Sequence, residues 1–317
     1  MTGTFRTRPP IRALLIDLSG TLHVGSSPTP GAVEALNRLR HVAPLDTDKP
    51  LPFKFCSNTS KEGRDQLKTR LRGMGFELKG DVGQGSGEKS QSREMWTSLG
   101  AVSALLKRRD LSRPYCLLEP SAREEILRDL PGPSHASKDE AEYDSVVIGL
   151  APSLLSYANL NTAFRILLAS PQPPLIATHR AKYIRVASDS QDASRAQDSA
   201  SLSLGPGPFV AALEAATGVQ AEAVGKPTRA FFETVISDFS FETLSDTFSE
   251  DARIAIVGDD VETDLGGGAV ELGLWRVLVK TGKYRPGDET KPGITPPDEV
   301  FGNFKEFVDS LLGGDNL

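Results

Sequence analysis

The chain has 317 residues, 38% of them hydrophobic and 25% charged, and its 36 Lys plus Arg against 42 Asp plus Glu leave a net charge of −6. That length allows two domains, no apolar run approaches the roughly 18 residues of a membrane span, and the acidic balance gives no general field for a polyanion. A membrane protein is therefore excluded, nucleic acid is not expected as a partner, and with two cysteines, Cys56 and Cys116, neither a disulfide framework nor a four-thiolate zinc site can form, which points to a reducing cytoplasm.

Residues 1–10, with Arg6 and Arg8 and no acid, read as a frayed arm lacking the apolar core of a signal peptide. Beyond it, short apolar runs rich in β-branched residues alternate with longer amphipathic stretches, the rhythm of βαβ units around a parallel sheet. The first strand is predicted over 11–16, and a helix over 31–40 follows, with Val33, Leu36 and Leu39 at helical spacing. A strand over 53–56 then runs through the polar cluster Ser57-Asn58-Thr59-Ser60, which can cap a helix over 61–74. Later strands are expected at 115–118, 145–148, 175–177, 254–257 and 276–279, with helices at 121–130, 157–169, 209–216 and 229–236. Residues 80–92 and 188–207, rich in Gly and Ser, read as surface loops or insertions, and the charged stretch 280–299 as a loop before a closing helix over 304–312. No internal repeat is visible.

Four short motifs each follow a predicted strand. The first strand delivers Asp17 at its carboxyl end, ahead of Leu18-Ser19-Gly20-Thr21. In open α/β sheets the carboxyl ends of strands form the ligand crevice, although an Asp there can also simply end a turn. Behind the strand at 254–257 come Gly258-Asp259-Asp260-Val261-Glu262-Thr263-Asp264. Three Asp in six residues repel one another, and a hard divalent cation with oxygen ligands relieves that repulsion; the plainer reading has Asp264 capping a helix and Asp260 solvated. Ser57 and Asn58 offer a hydroxyl and an amide to phosphate oxygens, and Lys226 in Gly225-Lys226-Pro227 offers a compact positive charge. Each alone is weak; their order, each after a strand, carries the signal.

Asp17-Leu18-Ser19-Gly20-Thr21, Ser57-Asn58, Gly225-Lys226-Pro227 and Gly258-Asp259 through Asp264 resemble the four motifs of the haloacid dehalogenase superfamily, over nearly the whole chain. The resemblance is strongest to the subgroup with a large α/β cap inserted between the second and third motifs, which includes phosphatases of small phosphorylated metabolites. It implies an α/β fold with a Rossmann-like parallel-sheet core formed by residues 1–92 and 220–317, and an inserted α/β cap at 93–219. It also implies that Asp17 is a nucleophile forming an aspartyl-phosphate, with Lys226 as its catalytic partner. Asp17, Leu18, Ser19, Ser57, Asn58 and Lys226 would surround the phosphoryl group. Mg2+ would be held by Asp17, the Ser19 carbonyl and Asp259, and Asp264 would orient that shell. Members with this type of cap are often homodimers, which is the assembly expected by analogy.

The chain departs from the family at Ser19, where the usual phosphatase carries a second Asp that protonates the leaving group and then activates water. A serine has no useful acidity near neutral pH, so a contribution of about 10²- to 10⁴-fold is missing. The expected enzyme is slow and biased toward phosphoramidates, pyrophosphate, acyl or aryl phosphates. A phosphate- or metal-binding regulatory protein with little turnover is the alternative that Ser19 keeps open. A dinucleotide-binding oxidoreductase is disfavoured because Asp17 stands where a Gly-rich turn is needed and would repel a pyrophosphate. His179 and Arg180 either face the substrate from a cap loop or are solvated, His23 is equally ambiguous, and Cys56 reads as a buried small hydrophobe.

Overall fold

The computed structural model describes residues 7–44, 47–79, 93–128, 130, 143–185, 202–239 and 251–313. Most of the arm at 1–10, the whole of 80–92 and residues 188–201 lie outside the described residues. The chain forms two compact units: one takes the residues up to Ser57, Arg70–Trp96 and those from Arg229 onward, and the other takes Asn58–Thr69 and Thr97–Thr228.

The first unit is built on a six-stranded sheet in the order Glu299–Phe301, Trp275–Val279, Arg253–Gly258, Ile11–Asp17, Phe53–Ser57, Met95–Thr97. The first strand is central because nearly its whole run is apolar and covered on both faces: Ala13, Leu14, Leu15 and Ile16 are completely buried. It pairs parallel with both neighbours, Ile16 opposite Val257 on one side and Asp17 opposite Cys56 on the other. The chain goes from this strand to one neighbour directly and reaches the other only after more than 190 residues, so strand order reverses here and the crevice of an open parallel sheet opens at Asp17. The helix Phe304–Leu312 closes the unit, burying Phe304, Phe307, Val308 and Leu312. Its start is fixed by Asn303, whose side chain accepts from the Glu306 N–H, and its end by Gly313 in the left-handed region.

Three charged residues of these strands are buried, Asp17, Lys54 and Arg276. Lys54 is fully buried, donates to the Arg93 carbonyl at 2.8 Å and pairs with Asp238. Burial lowers the Lys54 pKa, an effect that the contact with Asp238 opposes. Asp238 also accepts from the Arg93 N–H at 3.0 Å and the Trp96 indole at 3.2 Å, so the cost of burying the ammonium is offset by a shared network.

The second unit has three layers. Its four-stranded sheet runs Glu222–Ala223, Leu175–Ala177, Ser145–Ile148, Pro114–Leu117, all parallel. Side-chain alternation splits the core: Leu117, Val146, Ile148, Leu175 and Ala177 pack under the helices Tyr157–Leu167 and Gly207–Thr217. Val147 and Ile176 face the other way, under Ser98–Arg108 and Pro120–Arg128.

The predicted strands and helices recur within a few residues of their expected bounds. Three differences are physical. The helix Ser98–Arg108 was not expected, since Gly100 and Ser103 dilute its apolar pattern; Thr97 caps it by accepting from the Gly100 N–H, and Leu99, Val102, Leu105 and Leu106 bury one face. The expected loop at 188–207 contains a strand, Leu202–Leu204, paired antiparallel with Tyr183–Arg185. The tail expected as loop up to residue 299 ends in an edge strand, Glu299–Phe301, beside Trp275–Val279.

Candidate active site

In the first unit, the turn after Asp17 is held by Thr21, whose hydroxyl donates to Asp17 Oδ2 at 3.0 Å, and by the Gly20 N–H, which donates to the His23 carbonyl at 2.7 Å. Gly20 lies at φ +102°, and a Cβ there would fall 2.1 Å from Asp259 Oδ2, so only glycine allows the first acidic loop to approach the second. The neighbouring strand Arg253–Gly258 delivers Asp259 at its carboxyl end, and the following turn brings Asp264 back beneath it. A Cβ on Gly258 would lie 2.3 Å from Asp264 Cβ. Asp17, Asp259 and Asp264 each offer a carboxylate oxygen to a group whose members lie within 4.8 Å of one another. The three residues are 4%, 2% and 3% exposed.

Three carboxylates buried together carry a large electrostatic penalty. Burial pushes the Asp259 pKa well above the ordinary carboxylate range, and the charges of Asp264 and Asp17 push it further, with Lys283 opposing. Asp260 behaves differently: burial alone would raise its pKa, but Lys283 and the N–H groups of Thr263 and Glu262 hold it down. Its Oδ1 accepts from both of those amides at 3.0 Å, and its own N–H donates to Asp264 Oδ2 at 3.1 Å. Asp260 is therefore the residue that caps the turn, the part the sequence left to Asp264 or to solvent. Burial works against the charge of Lys283, yet its pKa is raised, because Asp260, Asp259, Asp264 and Asp17 outweigh that burial. Leu18 is buried, and Ser19 is exposed and bridges to His23. His23 is itself buried, with Nδ1 3.0 Å from the Gly25 carbonyl. Ser57 ends its strand buried, and Cys56 beside it is fully buried, as a small hydrophobe would be.

In the second unit, Asn58 and Lys226 meet through the side chain of the first and the backbone of the second. The Asn58 amide donates from Nδ2 to the Lys226 carbonyl at 2.8 Å and accepts at Oδ1 from the Lys226 N–H at 2.9 Å. The side chain thus clamps the lysine's backbone. Gly225 completes the fit, since a Cβ there would lie 2.3 Å from Asn58 Oδ1 and 2.5 Å from the Thr178 carbonyl. His179 is buried, with Nε2 3.5 Å from the Ser60 hydroxyl, which accepts from the Leu150 N–H at 2.8 Å. Arg180 is held in a two-point pair with Glu214 at 2.7 and 2.6 Å. Neither His179 nor Arg180 is a merely solvated loop residue. Burial raises the Cys116 thiol to about 12, which leaves it protonated and unreactive near neutral pH.

Sequence reasoning placed Gly20 and Gly258 within the motifs and did not assign Gly282 and Lys283 to the acidic site. The Lys283 N–H donates to Asp259 Oδ2 at 2.6 Å, and its ammonium lies 3.4 Å from Asp260 Oδ2. The available signal was the position of Thr281-Gly282-Lys283, which follows the buried strand Trp275–Val279 after one residue.

An aspartate at the switch point of a parallel sheet, with two further buried carboxylates beside it, forms a centre suited to a hard divalent cation and to hydrolytic chemistry. The chain belongs to the haloacid dehalogenase-like hydrolases: residues 14–129 match the model of the haloacid dehalogenase-like hydrolase family, and residues 223–307 match the HAD-hydrolase-like model. It is 38% identical to haloacid dehalogenase-like hydrolase domain-containing protein 2 of Homo sapiens, over 95% of this chain and 96% of that protein. It is 32% identical to phospholysine phosphohistidine inorganic pyrophosphate phosphatase of Xenopus laevis, over 95% of each. Among solved structures, the 4-nitrophenylphosphatase of Thermotoga maritima superposes with a TM-score of 0.71 at 26% identity, covering 95% of this chain and 97% of that one. Among the described residues no helix is long and apolar enough to cross a membrane.

Proposed function

We propose that the protein is a Mg2+-dependent phosphatase that works through an aspartyl-phosphate on Asp17, with a discontinuous catalytic core, expected at 1–92 and 220–317, and an inserted cap, expected at 93–219; the sheets move both bounds, since Met95–Thr97 joins the first sheet and Glu222–Ala223 the second. The observation that carries this reading is the convergence of Asp17, Asp259 and Asp264 at the carboxyl ends of adjacent parallel strands, their oxygens within 4.8 Å of one another. The donor set fits a hard divalent cation: buried carboxylate oxygens, one of them on a residue whose pKa burial has raised. Asp17, the Ser19 carbonyl and Asp259 are the proposed ligands, with Asp264 orienting them. When bound, the ion supplies neutralising charge for the transferring phosphoryl group.

The chemistry of the chain's own residues then follows. A carboxylate oxygen of Asp17 attacks phosphorus, the bond to the leaving group breaks, and water later cleaves the acyl phosphate to release inorganic phosphate and restore Asp17. Thr21 orients the attacking carboxylate through its bond to Oδ2. Backbone at Leu18 and Ser19, together with Ser57 and Asn58, is assigned to the phosphoryl oxygens, and Lys226 to their developing charge. Asn58 adds a second task, fixing the backbone of Lys226. Ser19 cannot protonate a leaving group, so the favoured substrates are small molecules whose leaving group departs readily: phosphoramidates such as phospholysine and phosphohistidine, pyrophosphate, and aryl or acyl phosphates. The setting in this reading is the cytoplasm, without nucleic acid or membrane partners, and the assembly a homodimer.

Ser19, standing where an acid/base Asp is usual, also supports a second reading, a regulatory protein of the same fold that binds metal or phosphate with little turnover. Phosphate release with Mg2+, measured on phosphohistidine, phospholysine, pyrophosphate, 4-nitrophenyl phosphate and a sugar phosphate, separates the two. The phosphatase reading expects release from the activated substrates, little from the sugar phosphate, and a gain on the latter in Ser19→Asp. No release from any of them by the native protein, with activity appearing only in Ser19→Asp, supports the regulatory reading.

A further inference from the structure

Three consecutive residues, Thr281, Gly282 and Lys283, touch both acidic loops at once. Thr281 donates its hydroxyl to the Gly20 carbonyl at 2.5 Å. Gly282 lies at φ +54°, and a Cβ there would fall 2.3 Å from Gly20 Cα and 2.1 Å from Asp259 Oδ2, so the backbone is laid directly against the acidic pair. Lys283 gives its N–H to Asp259 Oδ2 at 2.6 Å and places its ammonium 3.4 Å from Asp260 Oδ2. The segment follows a completely buried strand, which gives it a rigid base at the carboxyl edge of the sheet.

These contacts have two consequences. The Lys283 N–H engages Oδ2 of Asp259, which restrains the rotation of a carboxylate that belongs to the group with Asp17 and Asp264. The ammonium meanwhile lies against Asp260, whose carboxylate caps the turn, and so sets a positive charge beside the buried carboxylate cluster. A resident charge of that sign competes with a divalent cation for the same field. We infer that Thr281–Lys283 is a positioning strap for Asp259, and that Lys283 is a built-in counter-ion that limits how tightly the cluster binds its divalent cation.

The inference rests on the proposed cation site, and its test reads metal binding rather than turnover. Mg2+ alone is titrated calorimetrically into the full chain and into variants, with circular dichroism confirming the fold. Lys283→Met keeps the N–H and removes the charge; Mg2+ should bind roughly three- to tenfold tighter. Lys283→Arg should return the affinity to that of the native protein. Gly282→Ala should weaken Mg2+ by about tenfold or more, because its Cβ displaces the Asp259 carboxylate. Thr281→Val, nearly isosteric, loses only the bond to Gly20 and should weaken Mg2+ by about threefold, and it carries the test if Gly282→Ala does not fold. A purely structural lysine would leave Mg2+ binding unchanged or weaken it, so unchanged or weaker binding in Lys283→Met overturns the counter-ion. Native affinity in both Gly282→Ala and Thr281→Val overturns the strap. Asp259→Asn is the separate control: if it binds Mg2+ as the native protein does, the cation site itself is wrong and the inference falls with it.

Discussion

The molecule contains two parallel sheets flanked by helices, and their carboxyl edges have little in common. In the first unit the edge carries Asp17, Ser57 and Asp259, with Asp264 returning to join them. In the second unit the residues just past the strands are Leu118, Gly149, Thr178 and Val224, none of them ionisable. Polar groups there are spent on backbone: Ser60 accepts from the Leu150 N–H, and Asn58 holds both backbone groups of Lys226. The same architecture thus frames a concentration of negative charge in one unit and a hydrogen-bonded scaffold around a lysine in the other. Fold supplies the edge of the sheet; side chains decide whether that edge does chemistry.

The contrast breaks most severely at Asp17. Asp17→Asn keeps the shape of the edge and removes its nucleophile, so phosphate release should fall by about 10³-fold or more, equivalent to roughly 4 kcal/mol of barrier. A steady-state assay checks this, and unchanged hydrolysis would remove Asp17 from the mechanism.

Removal of metal gives the next largest effect. Asp259 has a raised pKa in the folded protein, from burial first and then from Asp264 and Asp17. The folded state therefore holds this proton more tightly than the unfolded chain does. Asp259's contribution to stability is most favourable below the unfolded carboxylate value and is lost as pH rises from there through the folded pKa. In chelator the Tm should fall over that rise, and the Tm gain on adding Mg2+ should grow from about pH 4 to about pH 8, as a cation replaces the missing proton. Calorimetry at several pH values measures it; a gain independent of pH would show that the carboxylates do not share the ion.

In the second unit, Asn58→Ala removes the side chain that pairs with the Lys226 N–H and carbonyl. The expected cost is about 1–3 kcal/mol of stability, read by chemical denaturation, with a loss of turnover alongside it. If stability is lost and turnover is not, the clamp serves folding alone.

The parts of this picture that were legible in the sequence are those written in local pattern. Asp17 was readable because it ends a run of buried apolar residues and opens a Gly-containing turn, and the acidic loop because Asp259, Asp260 and Asp264 crowd into six residues. Lys283 was hidden inside Lys-Thr-Gly-Lys-Tyr-Arg-Pro-Gly, which looks like any polar loop; its meaning comes from Gly20 and Asp259, far away along the chain. The clamp of Asn58 on Lys226 spans 168 residues and has no local signature. Lys54 reads as an alternating polar residue of a strand, and only the fold shows that it is buried against Asp238. The short strands Leu202–Leu204 and Glu299–Phe301 lack the apolar run that marks a strand, since pairing alone makes them.

The smallest expected effect sharpens the comparison through the opposite pH response. Glu214 lies in the second unit, and its pKa is lowered, chiefly by the hydrogen bonds from Arg180, with burial opposing and the Ala221 N–H assisting. A depressed carboxylate contributes stability that is present above its ordinary value of 4.5 and lost as pH falls through its folded pKa. Because the Arg180 side chain is 44% exposed, solvent screens the pair and Glu214→Gln should cost less than about 1 kcal/mol. That cost should be constant near neutral pH and disappear in acid, where the native glutamate is also neutral. Asp259→Asn in chelator should do the reverse, stabilising the protein most at neutral pH and least in acid. Denaturation curves for the two variants should thus diverge from the native protein in opposite directions at neutral pH and converge on it as pH falls. Parallel behaviour of the two would mean that the carboxylate cluster of the first sheet does not store the repulsion that its geometry implies.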